Sequence, residues 1–227
     1  MKVIILAGGK GSRLLEYTKK VPKPMVPIKK KPILIHIMSH YAKHGYKDFI
    51  IATGFKHEFI KKYFQKRIKD WNISIINTGI NSMTGGRLRR LKKIVNNEKF
   101  FLTYGDGVSS VNLKKLLKFH NSSKCKATLT AVRPPARFGA IKIIKNNKVS
   151  VFREKSSLDT GWINGGFFVF EPDIFKYLKS DKTVLEQEPL TKLGKNGLLK
   201  AFKHYGFWQC MDTIRDKEIL EKSKEIK

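Results

Sequence analysis

Lys23 lies between two prolines in the run Val21-Pro22-Lys23-Pro24-Met25, and each proline restrains the backbone on its own side of the lysine. A cation held in this way is pre-positioned, and its natural task is to meet an anion at a fixed place. A second basic element precedes it, Leu6-Ala7-Gly8-Gly9-Lys10-Gly11-Ser12-Arg13-Leu14, which follows a short apolar run without a break. Glycines at 8, 9 and 11 let main-chain N–H groups approach a polyphosphate closely, and Arg13 can neutralise its outer charge. The spacing is not that of a P-loop. Nor is it the dinucleotide fingerprint, because Leu14 stands where the third glycine belongs. Alone the loop reads equally well as a tight turn; beside Lys23 it reads as a cradle for a triphosphate.

Two acids suit the same chemistry. Asp106 lies between Gly105 and Gly107 after an apolar run, and Asp212 precedes a helical pattern that begins at Thr213. If the two carboxylates meet at one sheet edge, they offer Mg²⁺ hard oxygen ligands that phosphate oxygens can complete. The competing roles are a turn for Gly105-Asp106-Gly107 and a helix cap for Asp212. Thr84-Gly85-Gly86-Arg87 opens another helix. Small residues there would let a flat base lie against the backbone, with Arg87 and main-chain groups supplying donors and acceptors, unless the glycines serve packing alone. His36, His40 and His44 recur every four residues, yet no carboxylate or cysteine accompanies them at ligand spacing, so they read as a surface stripe. Cys125 and Cys210 read as buried free thiols, and Met25, Phe119 and Phe138 as packing residues.

The elements that must position these groups alternate. The pattern predicts strands over 2–7, 48–53, 73–76 and 100–104, separated by helices at 32–44, 58–65 and 87–95. Pro32 opens the first of these helices and Gly45 follows its end. Beyond Tyr104 strands are predicted at 127–132, 140–144, 149–152, 166–170 and 199–203, with helices at 185–195 and from Thr213 onward. Strands alternating with helices imply an α/β fold, a Rossmann-like, mostly parallel mixed sheet flanked by helices. One domain over 1–227 is expected, with a nucleotide-binding half at about 1–110 and an acceptor-binding half at about 111–227.

The 227 residues carry 47 Lys and Arg against 18 acids, a net charge of +29. Such a field attracts polyanions, but the cations are spread along the chain without a nucleic-acid-binding motif, so the charge reads as solvated faces and steering of phosphorylated substrates. No specific nucleic-acid partner and no membrane partner are expected. The N-terminal apolar run is too short for a signal segment or a span, which makes cytoplasmic residence the expectation.

The chemistry-bearing motifs resemble those of the sugar-nucleotide pyrophosphorylases. The opening loop and Lys23-Pro24-Met25 mark that superfamily. Met83-Thr84-Gly85-Gly86-Arg87-Leu88, Thr103-Tyr104-Gly105-Asp106-Gly107-Val108, the Arg-Pro-Pro-Ala-Arg-Phe-Gly run at 133–139, Asn164-Gly165-Gly166, Glu186-Gln187-Glu188-Pro189-Leu190 and Trp208 to Thr213 are similar to its glucose-1-phosphate cytidylyltransferase branch. The resemblance implies a nucleotide-diphospho-sugar transferase fold, transfer of CMP from CTP to a sugar 1-phosphate, a Mg²⁺ cofactor and an oligomer of identical chains. It implies catalytic roles for Arg13, Lys23, Asp106, Lys155 and Asp212, with the two aspartates as metal ligands. Nucleotide contacts would come from Leu6, Ala7, Gly8, Gly9, Gly11, Ser12, Arg13 and Lys23, then from Thr84, Gly85, Gly86, Arg87 and Gly105. Glu154, Lys155, Asn164, Gly165 and Trp208 would hold the sugar phosphate. Two departures bear on the acceptor and the assembly: Ser156 replaces the usual proline after Lys155, and the connection from Gln65 to Trp71 is shorter than the family's.

Overall fold

Lys2–Ala7 forms strand β1, and its side chains alternate between two cores. Val3, Ile5 and Ala7 join one apolar cluster, while Ile4 and Leu6 join the other. A strand buried on both faces requires cover on both faces, so the run of β-branched residues already dictates a layered fold. The structure, a computed structural model, describes residues 1–65, 70–134, 139–154 and 161–226.

After β1 and a 3₁₀ turn come the one-turn helix α1 (Leu15–Thr18) and a minimal ribbon of β2 (Pro27–Ile28) and β3 (Lys31–Pro32). Helix α2 (Ile33–Lys43) buries Ile33, Leu34, Ile37, Met38 and Tyr41, a stripe at helical spacing. Gly45 follows it with φ +91°, a conformation that favours glycine and ends the helix. The chain then runs through β4 (Asp48–Thr53), α3 (His57–Phe64), β5 (Asn72–Asn77), α4 (Thr84–Arg90), α5 (Lys92–Val95) and β6 (Phe100–Tyr104). Its second half holds β7 (Gly107–Ser109), α6 (Leu113–Ser122), β8 (Ala127–Val132), β9 (Ala140–Ile143), β10 (Val149–Arg153) and β11 (Ile163–Phe170). Helix α7 (Glu188–Lys195), β12 (Leu199–Lys203), β13 (Trp208–Cys210) and α8 (Ile214–Lys222) complete it.

Seven strands form the central sheet in the order β12-β8-β11-β6-β1-β4-β5. All neighbours are parallel except β11, which runs antiparallel to both β6 and β8. This is the mostly parallel, helix-flanked mixed sheet that the alternation predicts. Helix α6 departs from the expected strand-rich second half. Its buried positions are few, Leu113, Leu116 and His120, and lysines between them mask the period; the Asn112 side chain capping Lys115 N at 2.9 Å is its clearest local signal.

The histidines of α2 correct the surface-stripe expectation. All three are half-buried, with His36 Nε2 bonded to Ile28 O, His40 Nε2 to Val111 O and His44 Nδ1 to His40 O, each at 2.9 Å. Burial, then the neighbouring His44, brings the His40 ring down to about 4, and burial lowers His36 as well. Both rings stay neutral in the folded chain and take up protons on unfolding below their ordinary value of about 6.5. Across that window the unfolded state binds more protons, so stability rises with pH. The melting temperature is therefore expected to fall as pH drops from about 6.5 towards 4, and more steeply in the wild type than in His40→Gln. Parallel pH profiles for the two proteins would remove His40 as the cause.

Candidate active site

The carboxyl ends of β1 and β6 open into a cleft of about 600 Å³, within the range of small-molecule sites. A two-stranded ribbon at its edge does the decisive positioning. Strands β7 and β13 pair antiparallel, Gly107 opposite Cys210 and Ser109 opposite Trp208, and Met211 N donates to Asp106 O at 2.9 Å. This pairing sets Asp106 and Asp212 side by side although they lie far apart in the chain. Asp212 does not cap α8. Thr213 Oγ1 accepts from Asp216 N at 3.2 Å, and Asp216 Oδ2 accepts from the main-chain N–H of both Thr213 and Asp212, a capping box that leaves the Asp212 carboxylate facing the cleft.

Lys23 occupies the place where the two carboxylates converge. Pro22 and Pro24 flank it, and a 3₁₀ turn closed by Met25 N to Pro22 O at 2.8 Å fixes its backbone. Its Nζ donates to Asp106 Oδ2 and to Asp212 Oδ1, both at 2.6 Å, while Arg13 Nη1 reaches Asp212 Oδ2 at 3.0 Å. Burial alone would lower the Lys23 pKa, but the Asp106 and Asp212 carboxylates outweigh it and hold the ammonium above its ordinary value. The thiol of Cys210, 3.9 Å from Asp212 Oδ2, is pushed up to about 12 by burial and then by Asp212 and Asp106. Cys210 is therefore a half-buried neutral thiol on the cleft wall and not the core thiol the sequence suggests; Cys125 is buried.

Two carboxylates converging on one point cation are the donor set a hard divalent ion takes when phosphate oxygens and water complete the shell. Among the described residues no group of three or more His, Cys, Asp or Glu is placed to hold a metal, so a ligand must supply the remainder. The fit to Mg²⁺ is thus one of charge and oxygen chemistry, with Lys23 as the stand-in cation.

The glycine loop lines the cleft from Leu6 and Ala7 through Gly8, Gly9, Gly11 and Ser12. Gly11 adopts φ +64°, and a β-carbon there would come within 2.8 Å of the Thr18 methyl and 3.0 Å of Lys23 Cβ, so the loop packs directly on the Lys23 stem. Gly9 faces open space, which leaves its backbone accessible. Gly105 also lines the cleft, its N–H donating to Leu6 O at 3.0 Å.

Arg87 lines the cleft, with its guanidinium turned largely towards main-chain carbonyls. It is 4% exposed, and Nη1 donates to Gly79 O at 2.7 Å, Thr78 Oγ1 at 2.9 Å and Thr53 O at 3.1 Å, while Nη2 donates to Gly8 O at 2.8 Å. Its terminal nitrogens tie the glycine loop to the ends of β4 and β5. Gly85 and Gly86 lie away from the cleft wall. A β-carbon on Gly86 would meet Asp181 O at 2.1 Å and one on Gly85 would meet Thr183 O at 2.8 Å, so these glycines serve the close packing of α4 on the 181–183 segment. From that turn Thr84 and Met83 reach the cleft.

On the acceptor side Asn164 and Trp208 line the wall. Trp208 Nε1 donates to Gly165 O at 2.7 Å, so buried Gly165 orients the indole without facing the cleft itself. Glu154 sits at the exposed end of β10 near Gly139, outside the cleft wall formed by the described residues; Lys155 and Ser156 lie outside the described residues, as do Phe138 and positions 66–69. Tyr104 and Glu186 were absent from the expected site. The Glu186 carboxylate accepts from the Tyr104 hydroxyl and, at 2.6 Å, from Thr84 Oγ1, and Asn164 Nδ2 donates to the Tyr104 oxygen at 3.3 Å. This network joins the Thr84 wall to the Asn164 wall. Burial, then Glu186, raises the Tyr104 phenol and keeps it a donor. Both residues lie inside motifs that carry the family resemblance, and that was the available signal.

Comparison with known proteins agrees with this geometry. A family described as nucleotidyl transferase matches residues 2–208. The glucose-1-phosphate cytidylyltransferase of Salmonella typhimurium is 48% identical, covering 97% of this chain and 95% of its own. The D-glycero-alpha-D-manno-heptose 1-phosphate guanylyltransferase of Aneurinibacillus thermoaerophilus is 35% identical over 91% of this chain and 89% of its own. Among solved structures, HddC from Yersinia pseudotuberculosis superposes with a TM-score of 0.77 at 26% identity, covering 97% and 98% of the two chains. No helix among the described residues is long and apolar enough to cross a membrane.

Proposed function

Because the chain belongs to the nucleotidyl transferase family, we propose that it transfers CMP from CTP to α-D-glucose 1-phosphate, releasing pyrophosphate and forming CDP-glucose in a Mg²⁺-dependent reaction. The observation that carries this reading is the 48% identity to a glucose-1-phosphate cytidylyltransferase along nearly the whole chain, joined to the Lys23, Asp106 and Asp212 cluster in the cleft. Residues from about 1–110 receive the nucleotide and the remainder receives the sugar phosphate.

The chemistry needs no protein nucleophile. A phosphate oxygen of the acceptor attacks the α-phosphorus of CTP, the bond from that phosphorus to the bridging oxygen breaks, and pyrophosphate leaves with the electron pair. The attacking oxygen is already anionic, so the protein's work is positioning and charge neutralisation. Main-chain amides of the glycine loop and the Arg13 guanidinium hold the β- and γ-phosphates. Lys23 neutralises charge that develops at the α-phosphoryl group. Asp106 and Asp212 would hold Mg²⁺, which would supply Lewis-acid neutralisation of phosphate oxygens. The family resemblance assigns the acceptor phosphate to Lys155, which lies outside the described residues, and in this reading Asn164 and Trp208 hold the sugar.

The test is pyrophosphate release from CTP, UTP, dTTP, ATP and GTP with Mg²⁺ and a panel of sugar 1-phosphates. CTP with glucose 1-phosphate is expected to lead by a wide margin. Preference for GTP, as the name of the heptose relative suggests for that protein, would overturn the base assignment. Trp208→Phe keeps a flat ring but removes the donor to Gly165 O, a loss of roughly 1 kcal/mol. KM for the sugar phosphate is expected to rise several-fold with kcat little changed, and steady-state kinetics on that variant checks it.

A further inference from the structure

The Lys23 ammonium bridges the two cleft carboxylates. It touches each at 2.6 Å, and its side chain is 13% exposed. Arg13 also reaches Asp212, but it is 75% exposed and solvent screens it. Among the described residues Lys23 and Arg13 set two cations against the two carboxylates. A divalent ion that takes Asp106 Oδ2 and Asp212 Oδ1 together must displace the Lys23 ammonium, which already bonds to both oxygens at 2.6 Å. Lys23 is also mechanically coupled to the phosphate cradle, since its Cβ packs where a side chain on Gly11 would stand.

We propose that Lys23 is the resident counter-ion of the Asp106 and Asp212 pair, keeping their affinity for a divalent cation low until a triphosphate in the glycine loop draws the ammonium away. Lys23 then changes partner from carboxylate to phosphate, and the carboxylates exchange a monovalent cation for a divalent one. The consequence is order: the nucleotide and the metal arrive together, and the chain without nucleotide does not hold the ion tightly. This rests on reading the cleft as a metal-dependent nucleotidyl transfer site, and deepens it.

The test is a Mn²⁺ titration without nucleotide, with free ion read by electron paramagnetic resonance, on wild type, Lys23→Met, Lys23→Gln and Lys23→Arg. Lys23→Met and Lys23→Gln are expected to bind one Mn²⁺ at least about tenfold more tightly than wild type, since a full unit charge next to the ion is gone. Lys23→Arg keeps the charge and should stay as weak as wild type. Adding Asp106→Asn to Lys23→Met should abolish the gain. Neutral variants that bind Mn²⁺ no better than wild type overturn the proposal, and so does wild type that binds it in the low micromolar range without nucleotide, a measurement that needs no variant. The titration contains neither base nor acceptor. Turnover with CTP alongside unchanged Mn²⁺ affinity would sink this inference alone, whereas tighter Mn²⁺ binding without CTP turnover would sink the assigned reaction alone.

Discussion

Lys23→Ala is expected to release pyrophosphate from CTP on the order of 10²–10³ times more slowly than the wild type, the cost of losing one preorganised charge from a water-poor site. The size of the effect follows from how Lys23 is held. Two prolines and a 3₁₀ turn fix its backbone, the glycine loop packs on its stem, and most of its length is out of water. A free lysine cannot replace that, because bulk cations arrive unoriented and hydrated. The loss should appear in kcat as well as in kcat/KM, since the charge is worth more against the transferring phosphoryl group than against the bound triphosphate. The same removal of charge should strengthen metal binding without nucleotide, so rate and metal affinity are expected to move in opposite directions. A folded Lys23→Ala protein with turnover within a few-fold of wild type would take Lys23 out of the chemistry.

The second large effect concerns a buried residue at the cleft wall whose hydrogen bonds go to main chain. Arg87→Met is expected to lower the stability of the fold by about 2–3 kcal/mol, because several hydrogen bonds from a charged donor disappear at once from a buried site. Some acceptors keep a second partner: Gly8 O still receives Phe55 N, and Thr53 O still receives Thr78 N. Gly79 O is left most exposed to the loss, and the strut from α4 to the glycine loop is gone. In a chain of this size such a change corresponds to a drop in melting temperature of roughly 5–10 °C. Binding of CTP should weaken too, since Gly8 loses the guanidinium that holds its carbonyl. Thermal unfolding with and without CTP reads both. Gly8→Ala offers the mirror experiment, because its added β-carbon would come within 2.1 Å of Arg87 Nη1 and displace the same contact from the other side. A stable Arg87→Met protein with wild-type CTP binding would show that the loop needs no such tie.

The positions of most strands and helices are written locally. Strand β1 is a continuous apolar run broken by glycine, α2 carries a full apolar stripe between Pro32 and Gly45, and each signal lies within a dozen residues. Lys23 was legible for the same reason, since its constraint comes from its immediate neighbours. Where local patterns are thin, as in α6 with its lysines between few buried positions, the sequence understates the helix.

What the chain could not declare by itself is which groups meet. Asp106 and Asp212 were candidates, each with a local alternative as turn or cap. The three-residue pairing of β7 with β13 brings them together, and the Thr213 and Asp216 box takes over the capping. Arg87 was a candidate base contact, and only the fold shows carbonyls from the end of β4, the turn after β5 and the glycine loop gathered around its guanidinium at the cleft wall. Gly85 and Gly86 looked like a shelf for a ring until residues 181–183 filled the space. Residue type and spacing determine what chemistry a side chain can do and which element carries it. Only tertiary contact decides whether its donors face solvent, a ligand or another stretch of main chain, because a polar group out of water must find its partner wherever the fold provides one.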